Sequence, residues 1–293
     1  MRSRLANLRH LRGLDPGRDY LKIYQTMLRY EFPWDMKLGL NLAFNRSFSE
    51  PAMAALGTAT GELTERTQRR IDDTGLLMYE IVLHGFDHPR GRAAVRRINQ
   101  IHRWHADAIS NDAYLYVLGC LVVVPTRWLA RYGWRRPCCH ERTATHAYYR
   151  ELGRRMGITE IPASYEAFEA WFDERDAALL RPNAGAAAIE RATRTLLLGR
   201  MPRVLSPIGD ALVSCLYDDR LRRAVQVPRP PWPVRAGLHA ALKTRGLLLR
   251  YLARPRTEPL FAAGIATKSY PIGYDIAALG PAPPPAAERS SRR

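Results

Sequence analysis

Lysine is almost missing from this 293-residue chain: only Lys22, Lys37, Lys243 and Lys268 among 45 basic residues, the rest being arginine. Cysteine is scarce too. Cys120, Cys138, Cys139 and Cys215 form no Cys-x-x-Cys pair and no zinc spacing, so reduced thiols inside a cell are expected. The N-terminus, MRSRLANLRHLRGLDPGRDY, lacks the apolar core of a secretory signal. The longest apolar run, Leu115 to Pro125, is about half of the roughly 20 residues a membrane span needs. A cytoplasmic protein is therefore expected, with peripheral contact to anionic membrane left open by the arginines. The alternation of strands is nearly absent. Phosphate loops, nucleophile elbows and dinucleotide fingerprints are missing, which leaves hydrolase and nucleotide chemistry without local support.

Basic charge is what the chain has in excess, at a formal +17. Such a surface attracts phosphates, carboxylates and anionic lipid headgroups. Nucleic-acid binding usually concentrates its cations on one element beside a readable motif. Here arginines are scattered over nearly every expected helix, and no specific nucleic-acid partner is expected.

Helical spacing recurs almost throughout. It predicts helices over 18–30, 34–46, 50–57, 61–84, 90–107, 112–132, 139–157, 164–180, 184–200, 206–224 and 234–252. Stops are legible at Gly57, Gly85, Gly133 and Gly157 and at a series of prolines. Short connections favour antiparallel neighbours. The expectation is an all-α, compact single-domain helical bundle of about ten helices over residues 1–281. Residues 282–293, a Pro/Ala/Arg tail, cannot bury enough to fold. Val227–Val234 reads as a stiff extended link. Ile265–Leu279 reads as irregular chain laid back on the body through Tyr270 and Tyr274. Helix 112–132 is apolar nearly all round, which marks a central helix of the bundle or the wall of an apolar pocket.

The stretch Thr67–Tyr116 carries the chemistry. Gly85 fits a helix C-cap and Pro89 the first turn of the next helix, while Asn111 and Asp112 can cap the third. Arg70 and Thr74, four residues apart, share a face. His102 sits among Val95, Ile98 and Ile101 at helical spacing. A neutral imidazole on a rigid helix, facing an arginine and a hydroxyl, suits an iron-bearing pocket; a satisfied core histidine is the plainer reading, and spacing alone does not separate the two. Other metal patterns fail. No Glu-x-x-His occurs, His102 and His105 lack matching carboxylates, and His140-Glu141 is followed by Ala144 where a zincin needs its second histidine.

The words of the sequence, taken in order, resemble the MpaB-type oxygenase and rubber-oxygenase (latex-clearing protein) family, especially its short bacterial members. They are YEFPWD (Tyr30–Asp35), QRRIDDTGLLMYEI, HPRGRAAVRRINQIH, ISNDAYLYVL, PTRWLARYGWR, YRELGRRMGITEIP and SYPIGYDIAALGP, and the resemblance covers roughly residues 5–281. The resemblance implies an all-α fold carrying haem b, with a histidine as proximal iron ligand. It also implies dioxygen-dependent cleavage of C=C bonds in apolar, isoprenoid-like substrates. The proximal motif falls on His102. The distal Arg-x-x-Lys-Thr motif of rubber oxygenases falls on Arg70, Asp73 and Thr74, so the arginine and threonine match and the lysine does not. Arg70 and Thr74 are then the expected catalytic residues, with Arg70 facing a propionate or bound oxygen and Thr74 offering its hydroxyl. His102, Arg70 and Asp73 are the expected cofactor contacts, and His102 the metal ligand, its other nitrogen fixed by an acceptor such as a backbone carbonyl. Dioxygen and a small apolar substrate are the implied partners, and an electron donor cannot be read. The alternative is the same fold with another metal or no cofactor, acting as a binding or peripheral membrane module.

Overall fold

The computed structural model describes residues 5–199, 202, 206–260 and 266–283. Among these the chain is all-α, with no strand. The helices are α1 (Ala6–Arg12), α2 (Tyr20–Thr26), α3 (Pro33–Ser47), α4 (Pro51–Ala59), α5 (Thr67–His84), α6 (Pro89–Arg103) and α7 (Asn111–Tyr132). They continue with α8 (Cys139–Arg155), α9 (Tyr165–Leu179), α10 (Ala184–Leu198), α11 (Ser206–Leu216), α12 (Asp219–Ala224) and α13 (Trp232–Tyr251). A π-type turn at Met27–Glu31 extends α2. The proposed tail from 282 lies almost wholly outside the described residues.

α7 is the axle. Leu115, Tyr116, Leu118, Cys120, Val122, Val123 and Leu129 are all buried, and α3, α8 and α9 pack around it. Burying the whole circumference explains why its sequence is apolar on every side. By length and composition α7 is the one described helix that could cross a membrane, a possibility the eleven-residue run had hidden, yet most of it lies inside the protein. Where α3 crosses it, a Cβ on Gly39 would stand 2.8 Å from the Pro125 Cα, so the crossing admits no side chain there.

Several boundaries differ from expectation for local reasons. α5 starts at Thr67, because Gly61 takes φ +66° and residues 61–66 form turns. α7 is capped by Ser110, whose side chain accepts from the Ala113 N–H, so Asn111 is already its first residue. The expected helix 206–224 is two, since the Asp218 carboxylate caps the Leu221 N–H and restarts the chain as α12. α1 was not expected from the sequence; it is short and contributes one buried residue, Leu11.

The turn between α5 and α6 sets the site. Gly85 adopts φ +82°, ψ 168°, a conformation open only to glycine. α6 begins on Pro89 and passes so close that a Cβ on Gly91 would lie 1.8 Å from the Gly85 carbonyl oxygen. α5 and α6 are thereby packed directly against one another.

The candidate haem-binding site

Each side of the α5–α6 pair presents one half of the expected constellation. His102 projects from the last turn of α6, partly buried, its ring stacked on Tyr114 of α7 with centroids 4.7 Å apart. Burial, with help from the charges of Arg70 and His105, pushes the imidazole pKa down to about 4. Near neutral pH the ring is uncharged, and a neutral imidazole is the form that can give a lone pair to a metal. Among the described residues neither ring nitrogen takes a hydrogen bond, so the expected carbonyl acceptor does not appear. Stacking on Tyr114 orients the ring instead.

Arg70 faces His102 closely enough for its charge to act on the imidazole. Burial lowers its own pKa, offset in part by Asp73 and Glu62. Among the described residues no carboxylate comes within ion-pair distance of this guanidinium, although fourteen other arginines, Arg46 and Arg135 among them, have one. Its polar partner is the Thr74 hydroxyl, which accepts from Nη1. Thr74 in turn donates to the Arg70 carbonyl oxygen, at 3.0 Å. The threonine hydroxyl thus bonds within α5 and holds the arginine.

Asp73 has a different occupation. It is buried, and it accepts a hydrogen bond from the Tyr270 hydroxyl. Tyr270 belongs to a strap, residues 266–281, with one 3-10 turn at Ile276–Ala278, laid across both helices where the sequence led us to expect an irregular segment laid back on the body. Ser269 N–H donates to Asp72, Tyr274 O–H donates to Glu80, and Arg97 of α6 donates to the carbonyls of Leu279 and Pro281. Leu279 of the strap is fully buried, and a Cβ on Gly280 would collide with Ile101, the neighbour of His102. Asp73 is therefore a strap anchor. Sequence reasoning missed Tyr114 and Gly91; the aromatic one helix further on and the small residue two after Pro89 were the only signals.

The residues fit haem by their donor chemistry. Among the described residues the site offers one neutral nitrogen donor and one cation with no carboxylate at ion-pair distance, a donor set that suits a macrocycle iron needing few protein ligands and carrying anionic propionates. A protein-only metal centre is less well served: among the described residues no three His, Cys, Asp or Glu side chains cluster to hold an ion.

Comparison with known proteins identifies an oxygenase family. A family profile described as "ER-bound oxygenase mpaB/B'/Rubber oxygenase, catalytic domain" matches residues 37–250. The chain is 28% identical to the ER-bound oxygenase mpaB' of Penicillium brevicompactum, over 84% of its own length and 62% of the relative's. It is 26% identical to the ER-bound oxygenase mpaB of Penicillium roqueforti (strain FM164), over 70% and 74%. It is 25% identical to mpaB of Penicillium brevicompactum, over 84% and 60%. The chain thus spans about three fifths of the length of two of these relatives.

Proposed function

The chain belongs to the mpaB/rubber-oxygenase catalytic-domain family, an oxygenase family, and from that premise we propose that it is a haem-dependent oxygenase acting on an apolar, isoprenoid-like substrate. The observation that carries the reading is the placing of His102, stacked on Tyr114 and held uncharged near neutral pH by burial, on the helix packed directly against the one that carries Arg70. His102 would hold the iron through a ring nitrogen. Haem, when bound, supplies the oxygen-activating redox chemistry, and C=C cleavage is the reaction that the family's rubber oxygenases lend to this chain.

The chain's own residues do the rest. Burial keeps His102 unprotonated, so no proton must leave before ligation. Tyr114 fixes the plane of the ring and Thr74 fixes the guanidinium. Arg70 meets a carboxylate or a developing negative charge in a low-dielectric setting, where a preorganised cation is worth more than in water. Ile98 and Ile101 on α6 and Met78 on α5 are partly buried against the core, and apolar side chains on these two helices suit a hydrocarbon substrate.

Titration of the purified chain with haem b tests the proposal. The expected outcome is a saturable Soret band at one haem per chain, lost or shifted in His102→Ala and bound more weakly in Arg70→Met. Equal spectra and affinities in wild type and His102→Ala would remove the histidine from the site.

A further inference from the structure

We infer that the outer face of α13 is a docking surface for an anionic lipid bilayer. The inference is independent of the oxygenase reading. From Arg220 to Thr257 the sequence carries ten lysines and arginines and no aspartate or glutamate. α13 lies in the middle of that stretch. Its inner side is held by the protein: Leu242 and Gly246 are buried, and the helix packs on α7 and α11. Its outer side is not covered by anything in the described chain.

At about 100° per residue, Ala236, Ala240, Thr244, Leu247, Leu248 and Tyr251 fall on one exposed arc that holds no charge. Leu247, Leu248, Tyr251 and the adjoining Leu252 are 56%, 51%, 71% and 75% exposed, so a contiguous apolar patch ends the helix in open solvent. Trp232 opens the other end at 75% exposure. Isolated apolar side chains on a surface need no explanation, but a continuous charge-free helix face does.

The edges of the face indicate what covers it. Along one border run His239, Lys243 and Arg250, and Arg254 and Arg256 follow beyond the last turn. Lys243 donates to the Arg131 carbonyl and His239 meets the Tyr132 hydroxyl at 3.3 Å, which ties this border to the end of α7. An apolar stripe bordered by cations, with Trp and Tyr at its two ends, matches a bilayer surface lying in the plane of the helix. Tails accept the leucines, anionic headgroups meet the arginines, and the aromatic rings sit at the boundary. A second copy of the chain is disfavoured as the occupant, because it would bring the same cationic border and another +17 of charge.

Flotation of the full chain with vesicles tests this, using phosphatidylcholine alone and phosphatidylcholine mixed with phosphatidylglycerol. The expected result is co-flotation with the mixed vesicles, little with the neutral ones, and release as salt is raised. The exposed quadruple variant Leu247→Gln/Leu248→Gln/Tyr251→Ser/Leu252→Gln should keep the wild-type melting temperature and lose binding by roughly tenfold or more. Arg250→Glu/Arg254→Glu should lose binding and its salt dependence together. Three outcomes would overturn the inference: no binding to the mixed vesicles, undiminished wild-type binding by both variants, or a concentration-dependent dimer that the quadruple variant dissolves. Binding carried instead by an acidic protein partner, with vesicles ignored, would overturn it as well.

Discussion

At the scale of single residues, His102 is the group whose environment has the clearest measurable consequence. Its pKa is near 6.5 in an unfolded chain and about 4 in the folded one. Between those values the unfolded state takes up a proton that the folded state refuses, so stability falls as pH drops from 6.5 toward 4 and is unaffected by this group above 6.5. The melting temperature of the haem-free protein should therefore decline across that window, and His102→Asn should flatten part of the decline. Parallel curves for the two proteins would show that the imidazole is not held neutral. The residue was legible in the sequence as a histidine on an apolar helical edge, and the resemblance gave it a role. Its orientation was not legible, because the stacking partner, Tyr114, comes from another helix and no spacing rule links positions 102 and 114.

At the scale of elements, the α5–α6 turn decides whether the two halves of the site face each other. Gly91 has no room for a side chain against the Gly85 carbonyl, so Gly91→Ala must push α6 away from α5. A cost of about 3 kcal/mol or more in urea denaturation is expected, together with weaker haem uptake; a loss below about 1 kcal/mol would mean that the close approach is not required. The helices themselves were readable from periodicity, and Gly85 and Pro89 from their positions at the ends. The contact between Gly85 and Gly91 was not, since closeness of backbones is a property of packing. The strap was half legible: Tyr270 and Tyr274 were expected to hold it down, but their partners, Asp73 and Glu80, appear only in the fold. Asp73 is accounted for by that contact, which explains how a carboxylate can stand where rubber oxygenases have lysine.

At the scale of the molecule, distant blocks of sequence prove to be one structure. Glu31 and Asp35 come from YEFPWD, and Trp128, Trp134 and Arg135 from PTRWLARYGWR. Arg135 bridges Glu31 and Glu141 with contacts of 2.8 and 2.6 Å, the Trp134 indole donates to the Glu31 carbonyl, and Trp128 donates to Asp35. Both glutamate side chains are fully buried, so removing the cation leaves two uncompensated carboxylates. Arg135→Met should cost about 3–5 kcal/mol of stability by urea denaturation, with the far-UV spectrum still helical where the protein folds; a cost under about 1 kcal/mol would contradict the bridge. These blocks carried the resemblance in the sequence, and the structure gives them an architectural task. The most direct measurement of the central claim is chemical rescue of His102→Gly, titrated with haem b in the absence and presence of free imidazole. Restoration of the wild-type Soret spectrum only when imidazole is added is the expected result. A wild-type spectrum in His102→Gly without imidazole would contradict ligation by this residue.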